Sequence, residues 1–285
     1  MPKKNKVETL LFLLFKKATV ETRKLGEEHK MKAIRACLQC SLDRNIHNFS
    51  SDKSVRIPDD GVIEIKCEYG HHTVIIIQQE KFEILSQMAI RAIVDGYYRD
   101  AIASFSGSLE RLYEFFVRTI CRKHRIYDSH FATSWKEMSN QSERQLGAFI
   151  ALHLLETGQP PKLLSHKNTN FRNSIIHKGT FPSRDKTVQF GQAVLDCALP
   201  LVKLLKSEAY LPTVNALGMD SICARAKPAH DRGLRTTTQC IYTLLSLSFA
   251  RNQSSIEEAI AEAEEQKERE KLESEWLRRA CQERG

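Results

Sequence analysis

The sequence has no long hydrophobic run and no recognisable export signal. Its apolar run LLFLLF, residues 10–15, is too short to span a bilayer, and no small-residue cleavage site accompanies it. The charged residues beside this run predict an amphipathic helix within residues 1–36. We find no internal repeat. Together these absences predict a cytoplasmic protein that does not interact with membranes.

The sequence also lacks the features of a disulfide-stabilised secreted domain. It has eight cysteines in 285 residues, and five of them are scattered along the chain: Cys121, Cys197, Cys223, Cys240 and Cys281. Without an export signal, a chain of this length is expected to keep its thiols reduced. The remaining three cysteines lie near histidines, which indicates another use.

Charge is distributed unevenly. Residues 256–285 contain 10 acidic and 6 basic residues, whereas the preceding 255 residues contain 37 basic and 25 acidic ones. A basic body is compatible with a polyanionic partner such as nucleic acid. The acidic segment has few apolar residues, so we expect an exposed helix that is separable from the rest.

Three cysteines and a histidine have the spacing of a zinc site. Cys37-x2-Cys40 is followed after 26 residues by Cys67-x3-His71, and Gly70 permits a tight turn in the second pair. Two close ligand pairs can complete one tetrahedron around a structural Zn²⁺. His72 is the alternative fourth ligand. The other interpretation is that the cysteines simply pack together.

The residue pattern divides the chain into four parts. GVIEIKC and TVIIIQQ predict a β-hairpin, and helical spacing begins at Lys81. The predicted parts are an N-terminal helix (1–36), a zinc-ribbon-like module (37–80) and a helical bundle (81–210). The last part (211–285) is predicted to contain a loop at 211–235, an apolar helix and a charged helix. The predicted fold class is therefore mainly α.

The bundle segment resembles a known family. GYYRDAIASFSGSLERLYEFFV is followed about sixty residues later by FRNSIIHKG, in which Arg172, Asn173 and His177 stand at the spacing Arg-x4-6-His. This combination resembles the HEPN superfamily of α-helical domains, common in prokaryotic toxins, phage-defence proteins and CRISPR-associated ribonucleases. The resemblance extends from about Lys81 to Tyr210, less than half the chain.

The motif is permissive, because three other pairs satisfy its spacing: Arg118…His124, Arg125…His130 and Arg225…His230. The pair Arg172…His177 stands out by the adjacent Asn, the following Lys-Gly, and its place at a helix start between apolar helices. On a helix, positions 172 and 177 lie about 140° apart. Either Arg172 precedes the helix and reaches round it, or a second copy of the chain completes the site.

The resemblance implies a metal-independent endoribonuclease that acts as a homodimer on RNA, with an antitoxin or defence-system protein as a further partner. The catalytic residues would be His177 as acid or base, Arg172 on the phosphate and Asn173 as an orienting group. Glu110, on the predicted second bundle helix, could position Arg172; the other interpretation is a solvated carboxylate on the helix surface. The alternative is a non-catalytic HEPN-like module that binds RNA or protein and keeps a structural zinc.

Overall fold

A computed structural model describes residues 32–33, 37–44, 55–139, 141–249 and 253–282. The helix predicted for residues 1–36 lies outside these ranges except at two positions. There the chain forms strand β1 (Lys32–Ala33), which pairs antiparallel with β2 (Val55–Arg56). The helix prediction is wrong at these two residues.

The predicted β-hairpin is confirmed. Strands β3 (Val62–Lys66) and β4 (His72–Ile77) pair antiparallel, with Val62 opposite Ile76 and Lys66 opposite His72. A third strand, β5 (Arg235–Gln239), pairs parallel with β4, so the order is β3-β4-β5. A parallel pair needs a crossover connection. Here the connection comprises the helices between residues 81 and 231.

Strand β4 is apolar because both of its faces are covered. Ile75 and Ile77 pack with Ile63 and Ile65 of β3 on one face. On the other face, Val74 and Ile76 contact a helix late in the chain. A strand buried on both faces reads as a continuous apolar run rather than an alternating one.

Most of the remaining described residues are helical, which confirms a mainly α fold with a small sheet. The helices are α1 (Leu38–Arg44), α2 (Lys81–Val94), α3 (Tyr98–Lys123), α4 (Asp128–Lys136), α5 (Ser142–Thr157), α6 (His166–Lys178), α7 (Arg184–Leu205), α8 (Leu211–Asp231) and α9 (Ile256–Gln282). Helix α3 is the centre of the bundle, because α2, α5, α6 and α7 all pack against it.

Helix α7 is long and apolar enough to cross a membrane by length and composition. Its apolar side chains, however, lie in the core of the bundle; they include Val194, Leu195, Leu201, Val202 and Leu205. A core helix of a globular domain satisfies the same criterion, so this composition is explained by packing.

The predicted loop at 211–235 is wrong, because helix α8 occupies most of it. Pro212 stands in the first turn, where no intrahelical N–H is required, and Pro228 lies close to the C-terminal end. Ala226 and Ala229 pack on Val74 and Ile76 of the sheet. This burial stabilises a helix that the prolines and glycines argued against.

The apolar helix predicted after residue 235 is also wrong. The residues form strand β5 and then an irregular segment that reaches residue 249. Backbone N–H groups of this segment are bound by side chains of α2: Leu245 donates to Ser86 Oγ at 3.2 Å, and Leu247 donates to Glu83 Oε1 at 2.9 Å. These bonds replace the ones that a helix would have made.

The expectation of an exposed, separable acidic helix is wrong for the first turns of α9. Ile256, Ala259, Ile260 and Ala263 are buried in the same core as α2 and α7. Apolar residues at positions i, i+3, i+4 and i+7 form one stripe on a helix. Four small or medium apolar side chains are therefore enough to dock a helix that is otherwise charged.

Candidate functional site

The predicted metal ligands come together. One ligand atom from each of Cys37, Cys40, Cys67 and His71 lies within 4.8 Å of every other. Cys40 Sγ is 3.3 Å from His71 Nδ1 and 3.7 Å from Cys67 Sγ, and Cys37 Sγ is 3.8 Å from His71 Nδ1. Thiolate and imidazole ligands at such separations can surround one metal ion.

The β3–β4 turn positions the second ligand pair. Cys67 N–H donates to the carbonyl of His71 at 3.1 Å, and Gly70 N–H donates to the carbonyl of Cys67 at 3.0 Å. Gly70 has a φ of +80°, a conformation that residues with a Cβ rarely adopt. Gly70 therefore allows the turn that brings Cys67 and His71 to the same side.

The structure also selects between the two histidines. His71 faces the cysteines, while its Nε2 lies 3.4 Å from Asp43 Oδ2. His72 instead pairs with Glu64 at 2.9 Å on the sheet. A carboxylate on the remote nitrogen of a ligating histidine fixes the ring and its tautomer. Sequence reasoning missed Asp43, which lies three residues after Cys40 on helix α1.

The thiol of Cys67 has a lowered pKa. Burial raises the pKa of Cys67, but hydrogen bonds from the backbone N–H groups of His71 and Tyr69, together with Cys40 and Cys37, outweigh it and leave this pKa below its usual value. A thiolate is the form that binds metal.

The second predicted constellation lies on helix α6, where Glu110 and Arg172 meet. Arg172 donates to Glu110 Oε1 on α3 at 2.5 Å and to Asn173 Oδ1 at 3.1 Å. Both partners of the ion pair are partly buried, with 26% of the Arg172 side chain and 36% of the Glu110 side chain exposed. The guanidinium is therefore held in one place, in a side chain that is only partly buried.

The local sequence explains why α6 lies there. Ser165 caps the helix by accepting from the N–H of Asn168 at 3.3 Å, and Gly179 ends it with a φ of +71°. Ile175 is fully buried, and the ring of Phe171 lies 5.9 Å from that of Phe190 on α7. Arg172 is inside the helix, so the idea that it precedes the helix is wrong.

His177 lies in the last turn of α6 and is exposed. Among the described residues it forms no hydrogen bond with Arg172, Asn173 or Glu110. Asn173 and His177 are four positions apart on one helix and share a face. One chain thus brings Glu110, Arg172 and Asn173 together, whereas His177 shares a helix face with Asn173 alone.

The other Arg…His pairs have different partners. Arg118 faces Asp128 at 3.8 Å. Arg225 donates to the carbonyl of Ile77 at 2.9 Å from within α8, rather than from a loop. His230 pairs with the hydroxyl of Thr236 at 2.7 Å.

Sequence reasoning missed a buried carboxylate at the bundle end. Glu156 accepts from Lys123 at 2.7 Å and from the hydroxyl of Tyr210 at 3.1 Å, and it also contacts His124. Burial raises the pKa of Glu156, but these three partners lower it to about 2. Pairs that join separate helices have no signature in sequence spacing.

Comparison of the chain with protein-family models, curated proteins and solved structures finds no match. What the protein does is therefore inferred from the contacts described above.

Proposed function

We propose that this protein is a metal-independent endoribonuclease of HEPN type, acting in the cytoplasm as part of a toxin or phage-defence system. The observation that carries the proposal is the ion pair between Glu110 and Arg172, completed by Asn173. It fixes a permanently charged fork at a partly exposed position, and an exposed histidine lies on the same helix.

The chemistry uses the RNA itself as nucleophile. The 2′-oxygen bonds to the adjacent phosphorus while the bond to the 5′-oxygen breaks, which leaves a 2′,3′-cyclic phosphate. Arg172 stabilises the charge that develops on the phosphoryl oxygens. His177 accepts the proton of the 2′-hydroxyl or donates one to the leaving oxygen, since imidazole exchanges protons near neutral pH.

The reaction needs one group to accept the proton of the 2′-hydroxyl and another to donate a proton to the leaving oxygen. A single chain offers only one His177 for these two roles. A homodimer with two facing α6 helices would supply the second histidine and bring a cation from each copy to the phosphate. The angular separation of positions 172 and 177 on one helix supports this arrangement.

The test is cleavage of a labelled single-stranded RNA by the full chain. We expect Arg172→Ala and His177→Ala each to lower the rate about a hundredfold to ten-thousandfold. His166→Ala is the matched control, because His166 is an exposed histidine in the first turn of the same helix. A wild type that cleaves no better than His177→Ala would contradict the proposal.

The products and the metal requirement add two readouts. The upstream fragment should carry a 2′,3′-cyclic phosphate, and cleavage should persist in chelator while circular dichroism shows an intact fold. Activity per chain should fall on dilution below the dimer dissociation constant.

A second function is favoured by one contact. The same ion pair neutralises Arg172 and docks α6 onto α3, which suits a non-catalytic module that binds RNA or protein. Glu110→Gln separates the two: loss of activity with an unchanged melting temperature favours catalysis, whereas a lower melting temperature in a protein that never cleaves RNA favours the structural role.

For the metal centre we propose Zn²⁺ held by Cys37, Cys40, Cys67 and His71. Four protein ligands close a tetrahedral zinc site, so the ion would stabilise the fold rather than take part in the reaction. Elemental analysis of protein purified without chelator should find one zinc per chain.

A further inference from the structure

The loop between α6 and α7 exposes a large aromatic ring. Phe181 is 86% exposed, more than any other large hydrophobic side chain in the part of the chain that the structure describes. A ring left in water forgoes the stabilisation that burial would give. We therefore ask whether the loop conformation keeps the ring exposed and whether a ligand contacts it.

Backbone contacts on both sides of Phe181 fix the conformation of the loop. Thr180 N–H donates to the carbonyl of Ser174 at 3.2 Å, which ties the start of the loop to α6. Pro182 follows and is buried, and a residue before proline is restricted to extended conformations. Ser183 then caps α7 by accepting from Lys186 N–H at 3.4 Å. The backbone of Phe181 is thus fixed between two anchored neighbours.

The residues that flank Phe181 along the chain are polar and mainly basic. His177 and Lys178 precede it at the end of α6, and both are exposed. Arg184 and Lys186 follow and are exposed as well, with the exposed Asp185 between them, and Arg184 lies 3.4 Å from Glu257. A single ring among cations differs from the continuous apolar patch that protein interfaces display. An aromatic ring combined with cations is the combination by which proteins hold single-stranded nucleic acid.

We propose that Phe181 is a stacking platform for a nucleobase of single-stranded RNA, next to the phosphate that Arg172 and His177 act on. The inference rests on the proposed function, since it takes RNA as the substrate of this site. It adds that the substrate is unpaired at the cleavage position, because bases inside a duplex already stack on each other and cannot reach the ring. Stacking on a ring face tolerates all four bases, so Phe181 selects for single strands rather than for a sequence.

The experiment measures binding apart from cleavage. The probe is a 2′-O-methyl oligonucleotide of twelve nucleotides, which lacks the nucleophile, and its affinity is read by fluorescence anisotropy at fixed low salt. We expect Phe181→Ala and Phe181→Leu to weaken binding about tenfold to a hundredfold, and Phe181→Trp to retain it. Leu155→Ala is the control, because Leu155 on α5 is also an exposed apolar side chain and should not matter.

Each outcome bears on the inference. It is overturned if the wild type does not bind the single strand, if Phe181→Leu binds as well as wild type, or if a matched duplex binds as tightly with the same dependence on Phe181. It is also overturned if the substitutions dissociate a dimer in sedimentation without changing RNA affinity, because the ring would then be a protein contact. If binding depends on Phe181 but unmodified RNA is not cleaved, the proposed catalysis fails and the stacking site stands.

Discussion

Glu83 connects the bundle to the segment that follows β5. The side chain is 2% exposed, and its two oxygens accept from the backbone N–H groups of Leu247 at 2.9 Å and Glu80 at 2.8 Å. Burial raises the pKa of Glu83 to about 7, even though these hydrogen bonds oppose the rise. Glu80 adds to the rise, and Lys206, which also faces this site, binds the carbonyl of Phe249.

The raised pKa makes stability depend on pH in a defined direction. Below pH 4.5, the reference value of the carboxyl, Glu83 is protonated in both the folded and the unfolded chain, and folding has no ionisation cost. As pH rises to about 7, the unfolded chain ionises more readily than the folded one, so the free energy of unfolding falls. One pKa unit corresponds to about 1.4 kcal/mol, so Glu83 should lower stability by about 2 to 3 kcal/mol between pH 5 and pH 8.

Glu83→Gln removes this titration, and urea unfolding at pH 5 and pH 8 measures it. The NH2 group of the glutamine amide cannot accept a hydrogen bond, so one of the two backbone N–H groups loses its acceptor. This lowers the free energy of unfolding by about 1 to 3 kcal/mol at every pH. Wild type should therefore be the more stable protein at pH 5, and its advantage should shrink or reverse at pH 8. Glu262→Gln is the control, since Glu262 is exposed on α9. A wild-type advantage that stays constant from pH 5 to pH 8 would refute the reasoning.

Three further predictions concern packing and metal. Gly191→Ala should lower the free energy of unfolding by about 1 to 3 kcal/mol, because its Cβ would lie 2.7 Å from the buried ring of Phe105. Gly147→Ala, with nothing within 4 Å, should raise it by about 0.5 to 1 kcal/mol, and equal effects of the two would contradict the packing described. Ile260→Ala should cost about 2 to 4 kcal/mol in denaturant unfolding, whereas a cost near zero would mean that α9 is separable after all. Cys67→Ser should abolish stoichiometric zinc in elemental analysis and lower the melting temperature; unchanged zinc content would exclude Cys67 as a ligand.

The Cys/His cluster that could hold a metal ion was predictable because its information is local. Each ligand pair lies within five residues and is shaped by its own turn, as the bonds between Cys67 and His71 show. The helices of the bundle were predictable for a similar reason, since their apolar periods stand in the sequence. The structure adds the caps of α6 and α7, which are Ser165 and Ser183.

The errors fall where distant partners decide the structure. Helix α8 contains Pro212 and Pro228, and it forms because its alanines cover the sheet. Strand β5 forms because β4 offers an open edge more than a hundred and fifty residues earlier in the chain. Neither the sheet face that α8 covers nor the β4 edge that β5 joins can be identified from local composition. For residues 211–235, the prolines and glycines therefore predicted a loop where packing forms a helix.

The crossover topology predicts how the two candidate sites depend on each other. Cys67 and His71 flank the β3–β4 turn, β4 pairs with β5, and β5 leads into the segment that Glu83 holds on α2. Loss of the metal should therefore destabilise the sheet and the first bundle helix together. Helix α6 is attached elsewhere, through Arg172 and Glu110 on α3 and through Phe171 on α7. We accordingly expect metal loss to lower the fraction of folded protein, while each folded chain keeps the geometry of Arg172, Asn173 and His177.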